Sequence, residues 1–416
     1  MTTKTADRPR SLGGAWPDKH VPGRGICMHA LVPMRGDIRL VRQAPVLADG
    51  GYSVTVVDVE DRPAPTCEDI TGNLRVRHVR VPARLSSYRY GTAPVVPWLL
   101  YKVLRMALAT IRVIRTPADV YHACDIAALP ACYIASRLRR KPLVSEAYEL
   151  PLADPSVTRR HALSIAATWV YRRILARCSG VVVSSPSHAR ELTRVYGITD
   201  VTVVRNIPIY RPPTRGDHLR NRLGLGANTR IALYQGGLQD DRGLDLLVLA
   251  ARHLPPSVVV TILGDGPARP RLETLIRRES VPDRVRLLPP VPYADLLEWT
   301  ASADLGLNVL PPDYSPSIRF CLPNKLFEYL MAGIPVLTSP LDSVVELITA
   351  YDVGAVVYSM KPHDIAQAIV GMLADPARLA RMRAHALAAC ARDLRWDVER
   401  LRLLSLYQSI LASDRA

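Results

Sequence analysis

Polar residues of chemical interest stand at the start of a predicted helix near position 324. The run PNKLFEYLMAGIPVLT covers residues 323–338, and its polar members include Asn324, Lys325 and Glu328. Apolar residues recur at helical spacing up to Gly333, which suits a helix end, and a short buried strand follows. Backbone N–H groups at such a helix start can bind a diphosphate, and the Glu328 carboxylate could accept hydrogen bonds from ribose hydroxyls. A surface helix with a solvated glutamate is the alternative.

A glycine turn earlier in the same half of the chain could hold the same kind of ligand. Gly236 and Gly237 follow a predicted strand, and Arg242 stands just before a predicted helix. Backbone amides in such a turn can approach phosphate closely, and Arg242 could neutralise its charge. A turn without a ligand is the simpler explanation of two adjacent glycines.

The PNKLFEY run resembles the nucleotide-sugar segment of family 4 of the retaining glycosyltransferases, which have the GT-B fold. The resemblance implies that Glu328 holds the donor ribose. The family usually has a second glutamate, which meets the sugar, where this chain has Phe320. The implied donor site comprises Gly236, Gly237, Arg242, Gly264, Gly266, Val291, Asn324, Lys325 and Glu328.

The glycine turn departs from the family pattern. The family has a Gly-Arg pair followed later by Lys-Gly, whereas this chain has Gly237 at the arginine position and Arg242 at the lysine position. One of the two usual phosphate cations is therefore missing. Lys325 or Arg319 could replace it.

A histidine and an aspartate follow a predicted strand in the first half of the chain. The segment DVYHACD ends that strand, and residues at the carboxyl ends of parallel strands face the crevice of the fold. A structural histidine is the alternative. The resemblance implies a His-x-His pair, of which His122 keeps the first position and Cys124 occupies the second. Asp125 could substitute, and the predicted catalytic residues are therefore His122, Asp125, Arg242 and Lys325.

Four further residues are candidates for acceptor binding. Glu146 and Glu149 follow the next strand, where they could meet the acceptor or orient His122. Arg35 and Arg39 flank the loop after the first strand and could bind an anionic group near the cleft. Two exposed arginines without a ligand are the simpler explanation.

Strands and helices alternate through both halves, which predicts parallel sheets covered on both faces. The resulting fold class is α/β, with two Rossmann-like domains facing each other across a cleft. The predicted parts are a disordered tail (1–25), an N-terminal acceptor domain (26–206), a linker (207–228), a C-terminal nucleotide-sugar domain (229–395) and a final helix (about 396–416). The resemblance implies that this helix crosses back to the first domain.

The net charge of +16 is concentrated in the first half. Residues 1–210 hold 30 basic and 16 acidic residues, a net of +14, and no acidic residue occurs between Asp69 and Asp119. Such asymmetry predicts an anionic partner. A nucleic-acid-binding protein is one alternative, but the basic residues are not interleaved with aromatic ones, so no nucleic acid is expected.

One predicted helix, 94–115, concentrates basic residues on one face, namely Lys102, Arg105, Arg112 and Arg115. This face could dock on anionic lipid headgroups or could be the outer face of a helix packed on the sheet. The seven cysteines form no C-x-x-C pair, and neither a signal peptide nor a membrane span is expected. A cytoplasmic protein, peripheral at most to the inner membrane face, fits best.

The resemblance implies a metal-independent retaining transferase without a cofactor, for which the nucleoside diphosphate sugar is a co-substrate. A uridine nucleotide is the commoner donor. The acceptor could be a carbohydrate, a lipid-linked glycan or a small molecule of an actinobacterial pathway. A non-hydrolysing nucleotide-sugar epimerase of the same fold is the alternative enzyme.

Overall fold

The computed structural model describes residues 23–60, 64–81, 95–147 and 169–414. Most of the predicted tail and Glu149 lie outside the described residues. Two sheets, one of eight strands and one of six, organise the described chain.

The first sheet has the strand order β3-β4-β2-β1-β5-β6-β7-β8. Its strands are β1 (Gly25–His29), β2 (Ser53–Glu60), β3 (Cys67–Thr71), β4 (Leu74–Arg80), β5 (Val120–Ala123), β6 (Leu143–Glu146), β7 (Gly180–Val183) and β8 (Val201–Val203). The central strands are short valine-rich runs buried on both faces, as expected for parallel strands under helices. Strand β3 was not predicted, because its residues are mostly polar and exposed; it pairs antiparallel with β4 at the sheet edge.

Helices α1 (Ile38–Asp49), α2 (Val95–Ile114), α3 (Leu129–Arg139) and α4 (Pro186–Tyr196) belong to this sheet. The Asp37 carboxylate caps α1 by accepting from the Arg39 and Leu40 amides. The final helix, α14 (Trp396–Ser413), packs against α1 and β8. Its Leu403 and Tyr407 are completely buried in the core of the first domain. The prediction of a returning C-terminal helix is therefore correct.

The second sheet has the order β11-β10-β9-β12-β13-β14, and every pairing in it is parallel. Its strands are β9 (Arg230–Gln235), β10 (Val258–Leu263), β11 (Val285–Leu288), β12 (Leu305–Asn308), β13 (Val336–Thr338) and β14 (Gly354–Val356). Its helices are α5 (His218–Leu223), α6 (Leu244–Ala250), α7 (Arg269–Arg278), α8 (Leu296–Ala301), α9 (Pro316–Phe320), α10 (Asn324–Met331), α11 (Asp342–Tyr351), α12 (Pro362–Leu373) and α13 (Pro376–Arg392).

The segment predicted as a plain linker contains helix α5, which is tied to the second sheet. Arg220 donates to the Asp304 carboxylate at 2.7 Å, and Arg230 lies 3.2 Å from the same group. The sequence predicted only a linker over 207–228, whereas this ion pair holds residues 218–223 against the domain that follows.

The two domains contact each other where the start of α4 in the first domain meets α9 and α11 of the second. The Ser185 hydroxyl donates to the Phe320 carbonyl at 2.6 Å, and the His188 ring lies edge-on to the Phe320 ring with centroids 6.3 Å apart. The Ser343 hydroxyl lies 2.8 Å from that of Ser187. Phe320, the residue at the family glutamate position, therefore packs against the first domain.

Candidate functional site

Two glycine turns contact each other at the carboxyl ends of strands β9 and β10. The Gly236 amide donates to the Leu263 carbonyl at 3.0 Å. A Cβ on Gly264 would lie 2.0 Å from the Gly236 carbonyl oxygen, and one on Gly266 would lie 2.4 Å from that of Leu238. Because no side chain fits at such distances, both positions require glycine. The structure thus brings together the two turns that the sequence singled out.

The Lys325 side chain extends from the start of α10 to the first of these turns. Its Nζ lies 3.6 Å from the Tyr234 ring centroid. A Cβ built on Gly236 would lie 3.8 Å from the same nitrogen. This nitrogen is buried and has no hydrogen-bond partner among the residues that the structure describes. Burial, and secondly the positive charge of Arg242, lower the Lys325 pKa to about 7. The negative charges of Glu328 and Asp241 oppose this shift only in part, and neither carboxylate forms an ion pair with Lys325. A buried ammonium group without a direct polar partner is unusual in a protein interior and indicates a site for an anion.

Arg242 lies in the 3-10 turn Asp240–Arg242, just before α6. Its guanidinium Nε is 3.3 Å from the Asp241 carboxylate, and about a third of its side chain is exposed. The positive charge of Arg242 lowers the pKa of Lys325, as expected for two neighbouring cations. Arg319, the other suggested replacement cation, instead pairs with Asp342 at 3.2 Å.

Glu328 lies one turn into α10 and accepts a hydrogen bond of 2.7 Å from Gln235 Nε2. The Gln235 Oε1 in turn accepts from the Thr300 hydroxyl at 2.7 Å. Burial raises the pKa of Glu328, and the bond from Gln235 opposes that shift. The carboxylate is oriented by a neighbour and keeps acceptor capacity for a ligand. It is therefore not the solvated surface glutamate of the alternative interpretation.

A cavity of about 500 Å³ opens beside Glu328. Its wall includes Arg42 from the first domain, the linker residues Pro208 and Ile209, and Tyr293 and Leu297 from the second. The cavity therefore combines one carboxylate and two arginines, Arg42 and Arg211, with apolar neighbours, a composition typical of small-ligand sites. Predicted donor residue Val291 is half-buried against the core of the second domain, two positions before Tyr293.

Arg42 joins the two domains at this cavity, and sequence reasoning missed it. It is buried, with 8% of its surface exposed. Its guanidinium donates to the Asn206 side chain at 2.6 Å and to the Tyr293 hydroxyl at 2.9 Å. Asn206 donates in turn to the Asn324 side chain at 2.9 Å, so hydrogen bonds through Asn206 connect the first residue of α10 to α1. A polar residue within an amphipathic helix gives no local signal of such a contact.

His122 lies elsewhere, inside the first sheet. Its ring has no accessible surface; its Nδ1 is 2.5 Å from the Tyr407 hydroxyl of α14, and its Nε2 is 3.4 Å from Glu146. Glu146 is buried as well. The structure therefore does not bring these two side chains to the surface of the cleft, and their predicted roles in catalysis and acceptor binding are not supported by their position.

Asp125 is half-buried, and its carboxylate accepts from the Ala128 amide at 2.6 Å, just before α3. Burial raises its pKa, and the Asp37 charge adds to the shift while Arg39 opposes it. Arg39 lies 3.5 Å from the Asp37 carboxylate, so Asp37, Arg39 and Asp125 form one polar group at the carboxyl ends of β1 and β5. Arg35 forms a bidentate pair with Glu60 and is half-exposed.

No three histidine, cysteine, aspartate or glutamate side chains come together as a metal site within the residues that the structure describes. The predicted metal independence is not tested by this observation. In the same part of the chain, no helix is both long and apolar enough to span a bilayer.

Residues 38–207 match the family model for Glycosyltransferase Family 4, and residues 217–388 match that for Glycosyl transferases group 1. The chain belongs to the family 4 glycosyltransferases. Within this family it is 30% identical to the D-inositol 3-phosphate glycosyltransferase of Xylanimonas cellulosilytica over 250 residues, which are 56% of this chain and 58% of that relative. The chain thus matches little more than half of that relative's length.

Two solved structures show that this family 4 glycosyltransferase has the GT-B fold. Sucrose-phosphate synthase from Thermosynechococcus elongatus superposes with a TM-score of 0.76 at 18% identity, over 94% of this chain and all of the other. Anabaena HepE in complex with UDP and glucose superposes with a TM-score of 0.70 at 17% identity, over 93% and 100%. The predicted fold is confirmed, and the comparisons lend no support to an epimerase or a nucleic-acid-binding protein.

Proposed function

We propose that this protein transfers a glycosyl group from a nucleoside diphosphate sugar to an acceptor, with retention at the anomeric carbon. The observation that carries the proposal is the buried Lys325 Nζ, which lies between a glycine turn and the start of α10. Within the described ranges of the chain, this nitrogen has no hydrogen-bond partner. A diphosphate bound there would accept hydrogen bonds from Lys325 and from backbone amides of the turn and the helix.

The nucleoside would occupy the cavity beside Glu328. The ribose hydroxyls would donate to the Glu328 carboxylate, which Gln235 already orients. The base would lie against Tyr293 and Leu297. Uridine is the base we propose, because HepE, which is similar in fold, was solved with UDP and with UDP-glucose.

Stabilisation of the departing diphosphate would drive the transfer. Negative charge grows on the leaving group as the glycosidic bond breaks, and fixed cations in a water-poor site stabilise that charge strongly. Lys325, Arg242 and the amides at the start of α10 supply this field, so we propose that no metal ion is required.

The acceptor would enter from the first domain, past the polar group of Asp37, Arg39 and Asp125. Several relatives are named D-inositol 3-phosphate glycosyltransferases. A cationic first domain suits such a phosphorylated, hydroxyl-rich acceptor. We propose that the transferred glycosyl group is a hexosyl or N-acetylhexosaminyl group.

Calorimetric titration with UDP, UMP and uridine tests the donor site. UDP is expected to bind more tightly than UMP, and UMP more tightly than uridine, because the lysine and the turn recognise phosphate. Binding should also take up protons. The Lys325 pKa of about 7 must rise when the diphosphate binds, so a proton is taken up above pH 7 and affinity falls as pH increases further, by at most about tenfold per pH unit.

The proton uptake is obtained from titrations at pH 8 in buffers of different ionisation enthalpy. The Lys325→Met variant serves as the control, since it should bind UDP weakly and should not take up this proton on binding. Equal affinity for UDP and uridine would refute a phosphate site, and UDP binding without proton uptake would show that Lys325 is not the group that meets the phosphate.

A further inference from the structure

Helix α2 exposes an apolar face in addition to part of the basic face described from the sequence, since Lys102 and Arg115 are exposed. Leu100, Val103, Met106 and Ile111 are 63%, 59%, 40% and 47% exposed. These residues recur at three- and five-residue intervals, which places them along one side of the helix. The opposite side carries the buried Tyr101, Ala109 and Val113, and Arg105 and Arg112 are half-buried near it.

The neighbouring helix extends this apolar face. Helix α3 packs against α2, and its Ile134 and Leu138 are 42% and 66% exposed. These two residues are four positions apart, so they share one side of α3. The exposed apolar side chains of both helices are here called the α2–α3 surface, which comprises Leu100, Val103, Met106, Ile111, Ile134 and Leu138. Clusters of large apolar side chains of this kind mark interaction sites on soluble proteins.

The charged residues of helices α2 and α3, which carry the α2–α3 surface, are all cationic. Neither helix has an acidic residue, and none occurs between Asp69 and Asp119 or between Asp125 and Glu146. The cationic residues exposed on or directly after these helices are Lys102, Arg115, Arg137, Arg139 and Arg140. Arg139 also donates to the Ile114 carbonyl at 2.8 Å, which ties the end of α3 to the end of α2.

We infer that the α2–α3 surface binds the face of an anionic phospholipid bilayer. Its apolar side chains would enter the boundary between headgroups and acyl chains, and the surrounding cations would contact the lipid phosphates. The charge pattern disfavours a second copy of this chain as the occupant, because two such surfaces would bring like charges together without compensating acids. The inference does not depend on the proposed glycosyl transfer.

Cosedimentation of the full chain with lipid vesicles tests this inference. The protein should bind vesicles that contain phosphatidylglycerol, remain in solution with vesicles of phosphatidylcholine alone, and dissociate at high salt. Two double variants change exposed residues only: Val103→Glu with Ile111→Glu, and Arg137→Glu with Arg140→Glu. Each should weaken binding by at least about tenfold. Leu401→Glu, which alters a 47% exposed apolar residue of α14, should bind like the unmodified protein.

Thermal unfolding and UDP affinity, measured on the same samples, should be unchanged in all three variants, so that lost vesicle binding reports on the surface alone. Absence of binding to anionic vesicles, or binding that the double variants leave unaltered, would overturn the inference. So would a dimer, seen by analytical ultracentrifugation without lipid, that Val103→Glu with Ile111→Glu dissociates, because a second copy would then cover the surface.

Discussion

Replacement of Lys325 by methionine is expected to lower kcat for glycosyl transfer by about 100- to 1,000-fold, the loss seen when one group that stabilises a developing anion is removed. Methionine keeps most of the length and packing of the side chain. The unligated protein should unfold at a higher temperature, because burial of an ammonium group without a hydrogen-bond partner in the described part of the chain opposes folding. An activity loss together with a stability gain would separate a functional lysine from a structural one.

Steady-state kinetics with a UDP-sugar donor, and calorimetric unfolding of the unligated protein, measure the two effects. The matched control is Lys361→Met, which removes an exposed lysine of the second domain. It should change neither quantity. If the Lys325→Met variant had the same kcat as the unmodified protein, the main support for the proposed diphosphate site would be lost.

Replacement of Glu328 by glutamine is expected to weaken UDP binding by about 10- to 100-fold, since hydrogen bonds to a charged acceptor contribute about 1.5–3 kcal/mol. The glutamine can still accept the bond from Gln235, so the local structure should persist. The effect should come from the ribose hydroxyls alone. The variant and the unmodified protein should therefore bind 2′,3′-dideoxy-UDP equally well.

Calorimetric titration of both proteins with UDP and with 2′,3′-dideoxy-UDP measures the four affinities that this comparison needs. Glu298→Gln is the control, because Glu298 is an exposed carboxylate of α8 that does not line the cavity. If Glu328→Gln weakened the two ligands to the same extent, the carboxylate would act on the fold of the site and not on the ribose.

The donor side of the site could be predicted because its signals are local. Gly236, Lys325 and Glu328 lie within short runs whose helix starts and turns follow from residue type and spacing. The alternation of valine-rich strands with helices likewise predicts parallel sheets. These features depend on neighbours in sequence, which a single chain displays directly.

Other features depend on contacts that are distant in sequence and therefore gave no signal. Arg42 meets Tyr293, 251 positions away, and His122 meets Tyr407, 285 positions away. The sequence placed His122 at the crevice because it ends a strand, but the returning helix α14 covers it. The exposed apolar residues of α2 gave no signal for the same reason, since the periodicity of a helix does not say which side packs on the sheet.

The structure of the protein in complex with UDP is the most direct test of the central claim. A β-phosphate oxygen should lie within hydrogen-bond distance of Lys325 Nζ, the ribose hydroxyls should contact Glu328, and the uracil should occupy the cavity beside Tyr293. UDP bound away from the turn at Gly236, with Lys325 Nζ still meeting no phosphate, would contradict it.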